Sequence, residues 1–353
     1  MNIFKSRINT GLKEDERPIV EKQLDWCHEE RTGTSVENDP FGNNLETIEK
    51  GIEEDQKDTM SCVFHGIGGA FEIERKKDTG MLARTSKIFG YRQRSTFPEE
   101  GSIPAEAFKI DSKIGLCLYD TLKTPKTEAE ANAIVLTSRM YQEASLSRGK
   151  GYFIINNMND IETLAGVAQK GHAVPICIFA DKNEWATDFV KIKNKNLTRT
   201  TAGVRHLVYI LPESGFMKDG ARWVEVQDSA HFGGLANRYV REDFIESRVY
   251  FAGYWDTVEE FQGGEKPQYT FTKTLKYGSV GKEVLAVQKL LIHEKLLPAD
   301  CATGNLFGMT LGAIRLFQNK YAEDILKPIG LNEPTNTWGS MCIAKANSIT
   351  KMV

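Results

Sequence analysis

No apolar run in this 353-residue chain approaches the roughly 18–20 residues that a membrane helix needs, so no membrane partner is expected. The opening Met1-Asn2-Ile3-Phe4-Lys5-Ser6-Arg7 has neither an apolar core nor a small-residue cleavage site. That start predicts synthesis in a cytosol without a signal peptide. An excess of one charge is missing too: a formal net charge of −3 gives no general attraction to nucleic acid. Cysteine is sparse, and Cys27, Cys62, Cys117, Cys177, Cys301 and Cys342 follow no framework spacing. They read as reduced thiols rather than as a disulfide scaffold. Cys62-x-x-His65 has no second pair at zinc spacing, and the glycines of Gly66-x-Gly68-Gly69 follow no strand of a phosphate-binding unit. The chain is therefore expected to carry no metal and no cofactor.

What is present describes a globular protein of α+β class. Hydrophobic content of 41% with 26% charged residues is ordinary, and the length suggests two domains or three. Residues 1–50 are polar, turn-rich and poorly periodic, which predicts an extended arm or propeptide-like lead. Helical spacing follows over 62–76, 81–92, 104–113 and 128–146. From Gly151 the pattern changes to short β-rich runs at 152–155, 173–180, 206–211, 222–227 and 249–254. These two halves make one domain over 51–258. Residues 259–272, rich in glycine and charge, read as a linker to a small helical unit over 273–353.

Chemistry concentrates around Cys62. Polar, turn-prone Asp58, Thr59 and Ser61 precede it, and Val63, Ile67, Ala70 and Phe71 follow at helical spacing, so Cys62 should open a helix. A thiol there meets the positive end of the helix dipole, which favours the nucleophilic thiolate. The free N–H groups of that first turn, with the side-chain amide of Gln56, could hold an oxyanion. Downstream, His206 begins an apolar strand and Asp228 closes another. Nucleophile, base and orienting carboxylate thus occur in order. His231, three residues past Asp228, is the alternative base.

This arrangement resembles the papain-like cysteine peptidases of C1 type found in bacteria and their phages. The family pattern of Gln, five residues and Cys within a Ser-Cys pair is matched by Gln56, Ser61 and Cys62. Asp228-Ser229-Ala230-His231-Phe232-Gly233-Gly234 echoes the family's Asn-Ser-Trp-Gly segment, and Gly101-Ser102-Ile103-Pro104 resembles the stretch that lines the substrate cleft. The resemblance implies a two-lobed fold, helical and β-rich, with the cleft at its junction. It also implies a catalytic set of Cys62, His206, Asp228 and Gln56, and substrate contacts at Ser61, Gly101, Ser102 and Ser229. The chain departs from the pattern at Asp228, where most relatives carry Asn, and at Ala230, where they carry a Trp. Thr59 stands in place of a disulfide cysteine, and Val63 in place of an aromatic.

The C-terminal unit resembles the peptidoglycan-binding domain of type 1 at Gly278, Gly281, Val284, Gln288, Phe307, Gly308, Thr310, Ala313, Phe317 and Gln318. Together the two resemblances imply a thiol endopeptidase acting on peptide or peptidoglycan at the bacterial cell wall, as a phage endolysin or virion component. Two other readings stand beside it. One is a non-catalytic structural or adhesion protein keeping the fold; the other is a protein-directed peptidase whose C-terminal unit binds protein.

Overall fold

The computed structural model describes residues 27–28, 39–42, 53–80, 82–258 and 263–351. Most of the arm expected over 1–50, and 259–262 of the expected linker, lie outside the described residues.

The helical lobe is built on α1 (Cys62–Thr79), whose side chains are buried from Cys62 through Arg75. Gly80 ends it in the left-handed region, φ 71°, and returns its N–H to Lys76 O. The helix reaches its neighbour through missing side chains. A Cβ on Gly66 would lie 2.0 Å from Leu207 Cδ2, and one on Gly69 would lie 2.7 Å from Tyr209 Cε1. The backbone of α1 therefore rests directly on the strand that carries His206.

Two expected helices differ from the sequence pattern. Of the described residues 82–92 only α2 (Lys87–Tyr91) is helical, because Ser86 caps it and Thr85 gives both its N–H and its hydroxyl to the buried Glu72 carboxylate. After α3 (Pro104–Lys113), the run 128–146 divides into α4 (Glu128–Ala133) and α5 (Ser138–Ala144). Ile134 turns extended with ψ 132°, and Thr137 caps the second piece through Met140 N. Local side-chain caps thus override a continuous apolar period.

The β lobe holds β1 (Cys27–His28), β2 (Gly149–Ile155), α6 (Ile161–Gln169), β3 (Val174–Ala180), α7 (Lys182–Trp185) and β4 (Phe189–Val190). It continues with β5 (Val204–Ile210), β6 (Phe216–Lys218), β7 (Ala221–Gln227), β8 (Asn237–Arg241), α8 (Glu242–Arg248) and β9 (Val249–Val258). Their order is β1-β2-β9-β3-β5-β7-β8-β4, with β6 on β7. One face packs Cys177, Leu207 and Trp255 against α1; the other packs Ile176, Ile178 and Val224 against α6 and Phe244 of α8. Tyr209 pairs with Gln227 across β5 and β7, so the chain leaving β7 passes alongside His206.

The C-terminal unit has β10 (Leu275–Lys276) paired with β11 (Thr337–Trp338), and helices α9 (Lys282–His293), α10 (Gly308–Lys320), α11 (Ala322–Ile325) and α12 (Ser340–Thr350). Its core of Val284, Leu290, Phe317 and Trp338 is continuous with Ala83, Leu118 and Leu146 of the helical lobe. Gly312 lets α10 press on α5, since a Cβ there would lie 2.9 Å from Glu143 Cγ. The Arg315 side chain is 2% exposed in that seam and meets Glu143 Oε1 at 2.8 Å and Asp120 Oδ2 at 3.2 Å. The unit is docked on the helical lobe. Removing one partner of such a buried pair strands the other, so Arg315→Met should lower full-chain stability in urea unfolding by about 3–5 kcal/mol. A loss under about 1 kcal/mol, as for exposed pairs, would mean that the seam opens in solution.

Candidate active site

Cys62 is the first residue of α1 and is fully buried. Ser61 stands at the N-cap without a side-chain hydrogen bond to the first turn, so its hydroxyl does not occupy the N–H groups there. Gln56 is tied down on three sides. Its backbone N–H donates to Ser229 O at 2.8 Å, its Oε1 accepts from Ser229 Oγ at 2.9 Å, and its Nε2 donates to Thr59 O at 2.9 Å. A primary amide has two N–H groups, and the second has no partner among the described residues.

His206 lies on β5, 1% exposed, with Nε2 at 2.7 Å from Asp228 Oδ1. Its Nδ1 has no formed hydrogen bond, and the Cys62 thiol contributes to the charge of the ring. Burial works against the imidazolium, yet the Asp228 carboxylate, its hydrogen bond and Cys62 outweigh it and push His206 up to about 9. Asp228 moves the other way. Burial favours its neutral form, but His206, Arg238 and the Ala230 N–H hold it well below the usual carboxylate range. The favoured state is thus an ion pair of imidazolium and carboxylate next to the thiol.

Two residues at this site went unread in the sequence. Trp185, from α7, donates Nε1 to Asp228 Oδ2 at 3.0 Å, and Arg238, from β8, donates Nη1 to the same oxygen. The signal for Arg238 was its strand position: it shares the buried face of β8 with Val240, where an arginine needs a partner. Nothing local marked Trp185.

The remaining candidates are placed as follows. Ser61 Oγ is engaged by Thr59 Oγ1 at 2.5 Å and His65 Nδ1 at 3.0 Å, inside the protein. Gly101 N–H donates to Tyr91 Oη at 3.2 Å, and Ser102 is fully buried with its hydroxyl unpartnered. No hydrogen bond or ion pair joins Gly101 or Ser102 to Cys62 or His206. His231 turns toward Glu53, 3.7 Å away, rather than to Asp228. Among the described residues no cluster of three or more His, Cys, Asp or Glu is placed to hold a metal ion, and no described helix is long and apolar enough to cross a membrane.

No family model matches the chain, and no curated protein does. Solved structures do. Xylellain, a cysteine protease from Xylella fastidiosa, aligns at a TM-score of 0.54 and 15% identity over 72% of this chain and 97% of that one. The fold is papain-like. Digestive procathepsin L2 from the larval midgut of Tenebrio molitor agrees, with a TM-score of 0.54 at 13% identity over 71% of this chain and 78% of that one. So does digestive procathepsin L3 from the same source, at 0.51 and 13% identity over 70% and 77%. Within this papain-like frame Ala230 offers no indole, and Trp185 reaches the Asp228 carboxyl from α7 instead.

A ring held at about 9, above its ordinary 6.5, binds its proton more tightly in the folded protein. The stability this gives is complete below about pH 6.5 and is lost as pH rises through about 9. Urea unfolding across that window should lose on the order of 3 kcal/mol, and Asp228→Asn should flatten the decline. Parallel slopes for the two proteins would mean that this carboxylate does not hold His206.

Proposed function

We propose that the chain is a cysteine peptidase that cuts amide bonds. The observation that carries this reading is one histidine, His206, bonded to Asp228 through Nε2 while its other nitrogen is left for a thiol at a helix N-terminus. The Cys62 thiolate attacks the peptide carbonyl, and the charge that forms on oxygen is met by first-turn N–H groups and the spare N–H of Gln56. The imidazolium of His206 gives its proton to the departing amine, leaving a thioester. Water then attacks that thioester with neutral His206 as base, releasing the acid and restoring the Cys62 thiolate beside the His206 imidazolium.

The C-terminal unit supports a wall-directed role through its resemblance to peptidoglycan-binding domains, and a phage endolysin or virion-borne lytic enzyme is the setting this pairing suggests. Several motif residues act inside the unit. Gln288 Nε2 donates to Thr310 Oγ1 at 2.9 Å and its Oε1 accepts from Gly304 N at 2.7 Å, while Gln318 pins Thr335 and Thr337. Surface remaining for a ligand includes Tyr277, Val280 and Phe307, all exposed. One observation favours the non-catalytic alternative: the thiol of Cys62 has no exposed surface, so substrate reaches it only if covering groups move.

Reaction with a thiol-directed peptidyl electrophile separates these readings, because a working peptidase should be labelled at Cys62 and a non-catalytic protein should not. Cys62→Ala should remove turnover of a denatured protein substrate while leaving the fold intact, and turnover near that of the unaltered protein would sink the nucleophile. Losing Gln56 should lower kcat about 10²–10³-fold with little change in KM. The full chain should sediment with purified sacculi and release new peptide ends readable by mass. Cleavage of protein without either wall effect would leave a peptidase whose C-terminal unit serves another partner.

A further inference from the structure

The Asp228 carboxyl is surrounded only by donors. Oδ1 receives His206 Nε2 and the Ala230 N–H, each at 2.7 Å; Oδ2 receives Trp185 Nε1 at 3.0 Å and Arg238 Nη1. A carboxamide would turn its NH₂ onto a donor in either orientation, so this pocket favours a carboxylate over an amide. The guanidinium is itself fixed independently. Nε donates to Trp185 O at 2.7 Å, Nη1 to Leu235 O at 3.2 Å and Nη2 to Phe232 O, and the side chain has no exposed surface. Its plane also lies over the Trp185 ring, 5.0 Å from the centroid.

We propose that Arg238 is a positioning residue for the reaction at Cys62: it sets the charge and the angle of the Asp228 carboxylate, and through it the His206 ring, without touching substrate. This rests on the peptidase reading above for its meaning, though the coupling itself does not. Among the described residues, the further titratable groups acting on the cluster include Cys62, beyond His206, and Asp188, beside Arg238. From Arg238 through Asp228 to His206 the signs alternate: guanidinium, carboxylate, imidazolium. Removing the cation at one end leaves the carboxylate with His206 as its remaining counter-charge. The ring should then hold its proton more tightly but lose its fixed angle.

The test follows His206 by its imidazole resonances, assigned by their loss in His206→Gln, in the full chain and without substrate. Arg238→Gln should move the His206 titration upward by about one unit, whereas Asp228→Asn should move it downward. In peptide cleavage Arg238→Gln should lower kcat about tenfold and leave KM near its starting value. A structural arginine alone would lower the melting temperature and move neither the titration nor kcat, and that result overturns the proposal. Should Arg238→Gln fail to fold, Arg238→Lys keeps the charge and loses the planar fork. Its titration should stay near that of the unaltered protein while kcat falls, and an unchanged kcat overturns the assignment. If the unaltered protein cleaves no peptide but the titrations shift as stated, the peptidase reading fails and the coupling of Arg238 to His206 stands.

Discussion

A carboxylate with no water around it persists only when its charge is answered on every side. Asp228 places that demand on much of the β lobe. β5 must bring His206, β8 must bring Arg238, α7 must bring Trp185, and the turn after β7 must present the Ala230 N–H. The strand order β5-β7-β8 meets the demand with neighbours, and α7 supplies the remaining donor from the loop ahead of β4. Charge and topology therefore constrain each other: a register slip in β8 would turn Arg238 outward and leave the buried anion with His206 alone to balance it.

The helical lobe meets this site through absence of bulk. At Gly66 and Gly69 the backbone of α1 approaches Leu207 and Tyr209 with nothing between, and that approach sets how far Cys62 stands from the next strand residue, His206. Gln56 and Ser229 then join the lobes directly, one residue beyond the carboxylate. Cys62, Gln56 and His206 are thus held by contacts that cross the junction between helices and sheet.

Much of this was legible in the sequence because it is periodic or positional. Apolar spacing after Cys62 specifies a helix, the apolar run that His206 begins specifies a strand, and a polar residue ending an apolar run marks Asp228. What was not legible depends on contacts distant in sequence. Glu72 pulls Thr85 out of a helix that local pattern favoured, and Thr137 starts a new helix where the apolar period ran on. Trp185 and Arg238 matter only because folding brings them to one oxygen. In the C-terminal unit Gly308 reads as part of a binding motif, yet an added Cβ there would lie 2.5 Å from Gln142 Oε1 of the helical lobe.

The buried seam of Arg315 with Glu143 and Asp120 changes what a targeting unit can mean. A unit on a loose tether sweeps a sphere and raises local concentration in every direction. A unit fastened to the helical lobe works instead as a caliper. On the function proposed above, a ligand held by this unit would sit at one span and one bearing from Cys62, so the bond presented to the thiol would be chosen by geometry along the polymer as well as by its own chemistry.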